Sequence, residues 1–194
     1  MFMYLLSKKA RDSRESAKVL YQQIVTQARN PVFYSVYNIP DTPEGRFEMI
    51  TLHCGLLVNR LCQSTDAKSA KLLAQALFDV MFDDIELAIR ELGVGDLAVP
   101  RRIKKMMSEF KGRSYAYDEA AKQGVPSMIH ALSRNAYAKQ DYKPSHDMVS
   151  EFAQYVCDTA QILRAQTVDD LMKGRIIFPH LKNYESSTYD SQAA

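Results

Sequence analysis

The feature that most constrains this chain is the return of apolar residues at steps of three and four along nearly its whole length. Phe47, Ile50, Cys54, Leu57 and Leu61 make one stripe, and Leu73, Leu77, Val80, Met81, Ile85, Ala88, Ile89 and Leu92 make a wider one. Residues so spaced share one face of an α-helix, which turns once in about 3.6 residues, whereas a half-buried strand needs strict alternation. Only 7 glycines and 7 prolines stand among 194 residues, so little interrupts these segments. The pattern predicts an all-α fold: a single domain built as an irregular bundle of about seven to eight helices.

The breaks in the pattern place the elements. Lys18 to Arg29 turns Leu20, Ile24, Val25 and Ala28 inward and stops at Asn30-Pro31. The aromatic stretch PVFYSVYNIP, bounded by prolines, reads as an extended or single-turn connector. Asp41-Thr42-Pro43-Glu44 is a helix start, with Asp41 as cap and Glu44 at capping-box spacing. Thr65 or Asp66 opens a helix that runs to Leu92, where Gly93 takes the left-handed terminating position. Arg101 to Phe110 is expected as a helix closed by Gly112, followed by shorter ones over Arg113 to Gln123 and Ser127 to Ala138. Lys143-Pro144-Ser145 opens a long helix with Met148, Phe152, Tyr155, Val156, Thr159 and Leu163 inward. A short helix after Thr167 ends near Gly174, and IIFPH reads as a brief extended piece. The chain thus divides into an N-terminal extension (1–17), a helical domain (18–182) and a tail (183–194) expected to be disordered.

Several function classes drop out early. No apolar run approaches the roughly 20 residues that span a bilayer. At the N-terminus, MFMYLLSKKARDSRES puts its charges after a very short apolar piece, the reverse of a signal peptide. Three cysteines (Cys54, Cys62, Cys157) without CxxC spacing suggest reduced thiols and a cytoplasmic-type compartment. The net charge of +2 is nearly balanced, so any basic surface must be a local patch.

The candidate chemistry is sparse. Gly93-Val94-Gly95 has two of the three glycines of a dinucleotide fingerprint, follows a helix, and lacks the lysine of a phosphate loop. It reads better as a corner between helices, with Asp96 bonding nearby backbone. Next comes a basic amphipathic run: Arg101, Arg102, Lys104, Lys105, Lys111 and Arg113, with Ile103, Met106, Met107 and Phe110 on the other face. That pattern suits an anionic partner, and equally suits a solvated face. Asp79, Asp83, Asp84, Glu86 and Glu91 make the preceding helix end acidic. A divalent ion or the aspartate-rich motif of isoprenoid synthases is the sharp reading there; the motif is incomplete, and salt bridging is the plainer one. His53 is either a haem or metal ligand or a hydrogen-bonded core group. No nucleophile–base–acid set can be assembled, and neither a metal nor a cofactor is expected.

Four segments, taken together, resemble the ubiquinol–cytochrome c chaperone family: QARNPVFY (27–34), PDTPEGRFEMITLH (40–53), FDVMFDDIELAIRELGVGDLAVPRRIKKM (78–106) and FKGRSYAY (110–117). The resemblance covers roughly Val19 to Tyr137, with its blocks in the family's order. Asp41, Glu44, Gly45, Arg46, Arg90, Glu91, Gly93, Gly95 and Asp96 fill the motif positions. Arg46 and Arg90 are expected to be buried against a carboxylate such as Asp96 or Glu91. The resemblance implies a non-catalytic assembly factor of the cytochrome bc1 complex, with newly made cytochrome b as client. It further implies a ribosome near the tunnel exit as partner, and a small partner subunit in mitochondrial members. Without a presequence or anchor in view, the chain is expected at the inner face of the cytoplasmic membrane.

A holdase for a membrane protein needs an adaptable apolar surface, for which Phe33, Tyr34, Tyr37, Met106 and Met107 are the candidates. The acidic helix end would meet positive loops of the client, while Arg101 to Arg113 would face an anionic membrane surface or the ribosome. The competing classes are a ribosome- or RNA-binding helical module and an all-α metal-dependent enzyme.

Overall fold

From Phe47 to Leu57 every residue except Ile50 is buried, so this stretch has no solvent face and must run through the middle of the molecule. The computed structural model describes residues 2–65, 67–138 and 144–181. Among them are eight helices and no strand: α1 (Phe2–Ala28), α2 (Pro31–Ser35), α3 (Pro43–Cys62), α4 (Ala67–Glu91), α5 (Val99–Gln123), α6 (Val125–Asn135), α7 (His146–Ala165) and α8 (Val168–Met172). The central α3 is surrounded by α1, α4, α5 and α7, while α1 lies along α4 and α6 bridges α5 and α7. The all-α bundle read from the periodicity is the fold observed.

The helix ends follow local chemistry. Thr42 caps α3, its hydroxyl accepting from the Gly45 amide at 3.2 Å, and Pro43 fills the first turn. Asp41, expected as that cap, instead pairs with Arg46 at 2.6 Å. Ser145 and Thr167 cap α7 and α8 through their hydroxyls. Gly93, Gly124 and Gly174 take φ of +77°, +97° and +71°, where a side chain would be strained. Asp66, Lys143 and the tail from 183 lie outside the described residues.

Three boundaries differ from the sequence reading, the smallest being α6, which runs Val125–Asn135 in place of Ser127 to Ala138. Helix α1 begins at Phe2 and continues unbroken past Lys18, with Ser13 and Ala17 already buried. Helix α5 runs straight through Gly112 instead of stopping there. Glycine within a helix costs about 1 kcal/mol relative to alanine. That cost is offset because Ile103, Met107, Phe110, Ser114 and Tyr117 keep one inward phase across it. At Gly55 a Cβ would lie 2.4 Å from the Cβ of Ser114, so α3 and α5 cross almost backbone to backbone. Asn59 locks the crossing by donating to the Ser114 carbonyl at 2.9 Å.

Candidate partner-binding surface

The motif blocks first build a frame. In the GRFE block, Gly45 sits under the Pro40 carbonyl, where a Cβ would come within 1.9 Å. Arg46 reaches back to Asp41, and that guanidinium holds the Asp41 carboxyl below its usual range. Glu44 and Arg46 are exposed, and Glu48, one turn on, is buried. Arg113 Nη1 of the GRSYAY block lies 2.8 Å from Glu48 Oε2, and the Tyr117 hydroxyl donates to Glu48 Oε1 at 2.5 Å. Burial pushes the Glu48 carboxyl up from its usual value, against the pull of Arg113 and Tyr117. Arg113 also lies over the Phe47 ring, 5.8 Å from its centroid. Two motif blocks far apart in sequence therefore meet through one buried anion.

The GVGD corner is built differently. Arg90, at the end of α4, holds Glu86 at 2.8 Å and Asp96 at 2.6 Å. Gly93 turns the chain, its amide donating to the Arg90 carbonyl at 2.9 Å. A Cβ on Gly95 would meet nothing, and Glu91 is exposed. The expected partnering of Arg46 and Arg90 with carboxylates is present, but their burial is not: their side chains are 55% and 44% exposed. Both pairs sit near helix ends at the surface, where water solvates the guanidinium better than the core would.

Helix α5 divides the expected contact residues between two faces. Arg101, Arg102, Lys104, Lys105 and Lys111 are exposed. Met106 and Met107 are half-buried against the core cluster. Arg113 points the other way, to Glu48, with its side chain 21% exposed. Tyr34 is half-buried, its hydroxyl donating to the Ala28 carbonyl at 2.8 Å. Tyr37 and Phe33 are core residues: Tyr37 stacks on Phe152 with centroids 5.0 Å apart, and Phe33 packs against Tyr155 and His53. Phe33 and Tyr37 are thus closed off within the core and cannot floor a groove for a partner.

Sequence reasoning missed the exposed apolar residues around the corner. Leu97 is fully exposed, Leu92 is 64% exposed, and Tyr115 stands out from α5 at 66%. The signal for Leu97 was present: it falls between Asp96 and the proline-bounded helix start, off every apolar stripe.

Cys62 is free and exposed, whereas His53, Cys54 and three aspartates of α4 are engaged within the fold. His53 is fully buried; its Nδ1–H donates to the Met49 carbonyl at 2.7 Å, and Nε2 accepts from the Tyr155 hydroxyl at 2.8 Å. Burial lowers its pKa to about 4, so the ring is neutral and both nitrogens are occupied. Burial pushes the Cys54 and Cys157 thiols up. Along α4, Arg14 pairs with Asp83, Tyr21 donates to Asp84, and Gln75 donates to Asp79. Among the described residues no three His, Cys, Asp or Glu side chains converge as a metal site. No described helix is long and apolar enough to cross a membrane.

Comparison with known proteins adds to this geometry. The family model for the ubiquinol–cytochrome c chaperone matches residues 35–178. Ubiquinol–cytochrome c reductase complex assembly factor 1 of Homo sapiens is 22% identical over 153 residues, which are 79% of this chain and 50% of that protein. The same-named protein of Drosophila melanogaster is 22% identical over 153 residues, 76% of this chain and 58% of its own length. The chain thus spans about half the length of these curated relatives. The crystal structure of the Cbp3 homolog from Brucella abortus superposes with a TM-score of 0.78 at 31% identity, covering 93% of this chain and 97% of that one.

Proposed function

Because the chain belongs to the ubiquinol–cytochrome c chaperone family, we propose that it is a non-catalytic assembly factor of the cytochrome bc1 complex that holds newly made cytochrome b. The observation that carries this reading is the family match over residues 35–178, joined to a backbone shared with the Brucella abortus homolog over almost the whole chain. The buried chemistry is consistent with a scaffold. His53 and Glu48 are closed in by intramolecular partners, as is Asp118, held by Lys122 and Gln63, so their bonds stabilise the bundle.

The client is a membrane protein whose cytoplasmic loops are rich in cations. The end of α4, with Asp83, Asp84 and Glu91 exposed, supplies the opposite charge, steering loops by field more than by tight contact. Met106 and Met107, half-buried on α5, offer adaptable apolar contact to a helix that has not yet found its partners. The chain works at the inner face of the cytoplasmic membrane, where such a client emerges. A ribosome- or RNA-binding role is the second reading, favoured by the exposed cations of α5 alone.

The test combines deletion of the gene with photo-crosslinking in growing cells. Crosslinkers replace Leu87 on α4 and Tyr115 on α5, both exposed. The expected result is recovery of cytochrome b on the crosslinker, and loss of assembled bc1 complex in the deletion strain. A deletion strain with normal bc1 content would defeat the proposal.

A further inference from the structure

We propose that the outward face of α5, together with the corner leading into it, docks on an anionic lipid bilayer. The inference deepens the membrane-side placement of the functional reading and rests on it for biological context, but its geometry stands by itself. Arg101, Lys104, Lys105, Ser108, Lys111 and Tyr115 recur at three- and four-residue steps, opposite the buried Ile103, Phe110 and Tyr117. From Arg101 to Tyr115 they line roughly 20 Å of helix surface.

Charge on this face is one-sided. Arg101, Arg102, Lys104 and Lys111 are exposed, and no ion pair joins them to a described carboxylate. Glu109 is the one acid between Leu97 and Tyr117, and it lies 3.7 Å from Arg113 and 3.9 Å from Lys105. At the corner, Glu86 and Asp96 are already held by Arg90, which leaves Glu91 as the exposed acid without an ion pair. On α5 from Arg101 to Tyr115 five exposed cations (Arg101, Arg102, Lys104, Lys105, Lys111) stand against Glu109, with Arg113 turned away to Glu48, so the field of this face is positive. Stability does not select this arrangement. The first turn of α5 has no acidic residue and no side-chain cap, and its arginines face the positive end of the helix dipole.

The exposed apolar residues decide between anionic partners. Phosphates of RNA and of lipid headgroups attract the same cations. Leu97, fully exposed, and Leu92, at 64%, lie in the corner that leads into the basic helix, and Tyr115 stands at the far end of its basic face. An aliphatic tip gains nothing from an RNA backbone. It gains much from the acyl boundary just below the headgroups, where a tyrosine ring also settles with its hydroxyl in water. Cations in the headgroup layer, Leu97 below it and Tyr115 at its edge describe one peripheral docking pose.

The experiment is co-sedimentation of the full chain with phosphatidylcholine vesicles, with phosphatidylcholine–phosphatidylglycerol vesicles, and separately with ribosomal RNA. Binding to the mixed vesicles alone is expected. The double substitution Lys104→Ala, Lys105→Ala should lower that partition about 30-fold, at about fivefold for each cation. Leu97→Ser should lower it about tenfold, the share of an exposed leucine that becomes buried. All three positions are exposed, so the variants keep the fold, which circular dichroism checks. The proposal is overturned if the mixed vesicles are not bound, or if Leu97→Ser binds them as the parent does. RNA retention lost on Lys104→Ala, Lys105→Ala, with vesicle partition indifferent to Leu97, would assign the face to nucleic acid. Vesicle binding intact in a protein that never crosslinks cytochrome b would sink the functional reading and leave this one standing.

Discussion

Replacing Arg113 by methionine removes the cation from a carboxylate that has nowhere else to turn. The Glu48 side chain is 5% exposed, and its other partner is the Tyr117 hydroxyl. Breaking one side of a buried pair costs about 3–5 kcal/mol, because the remaining charge stays out of water. Glu48 has an escape, which is to take a proton, and the cost of that route is about 1.4 kcal/mol for each pH unit above its pKa. Burial already lifts this carboxyl above its usual 4.5 while Arg113 pulls it down. Without Arg113 it rises further. A raised carboxyl pKa means that the folded chain holds a proton which the unfolded chain releases. Stability then falls as pH climbs from the unfolded value through the folded one, and Arg113→Met widens that window upward. The loss should be about 3–5 kcal/mol at pH 8 and shrink to about 1–2 kcal/mol near pH 5. For a chain of this size the pH 8 figure is a drop in Tm of about 6–20 °C. Thermal and urea melts at both pH values measure it. The double variant Glu48→Gln, Arg113→Met should recover most of the loss, since a neutral amide still accepts from Tyr117. An equal loss at both pH values, or a double variant no better than the single, would refute the reasoning. The same pair separates frame from surface: a stable double variant that still crosslinks its client shows that Arg113 serves the bundle.

The other predictions concern the same core. Gly55→Ala should cost about 1–3 kcal/mol, because the new Cβ meets Ser114 at 2.4 Å and pushes α3 from α5. Adding Ser114→Gly should restore part of the melting temperature, and an unchanged melt for Gly55→Ala alone would mean the crossing gives way. His53, whose folded pKa is lowered to about 4 against 6.5 for a free imidazole, sheds a proton that the unfolded chain keeps. Its contribution is fully present above pH 6.5 and is lost as pH falls toward 4, about 3 kcal/mol in all. Urea titrations across that range should show the extra slope in the parent and lose it in His53→Gln; identical slopes would count against a neutral buried ring.

The sequence by itself determined the class of fold. Apolar steps of three and four, the stops at Asn30-Pro31 and Gly124, the caps at Ser145 and Thr167 and the left-handed Gly93 are local facts, set by side chains and backbone within a turn or two. Local signals misled where tertiary contact outweighed them. Gly112 is a credible helix end until Phe110, Ser114 and Tyr117 hold α5 against α3 on both sides of it. The motif residues were legible as a family mark, but their partners were not, because Glu48 and Arg113 meet only after the 64 positions between them fold back. Tyr37 reads as a contact residue in a proline-bounded connector, and becomes core once α7 brings Phe152 against its ring. Exposure was the least legible quantity of all. Whether a leucine is covered depends on which elements come to lie over it: its place off every apolar stripe singles Leu97 out, but only packing shows that it stands uncovered. Periodicity is written residue by residue along the chain, whereas burial, ion pairing and the shape of a surface belong to pairs of segments that only packing brings together.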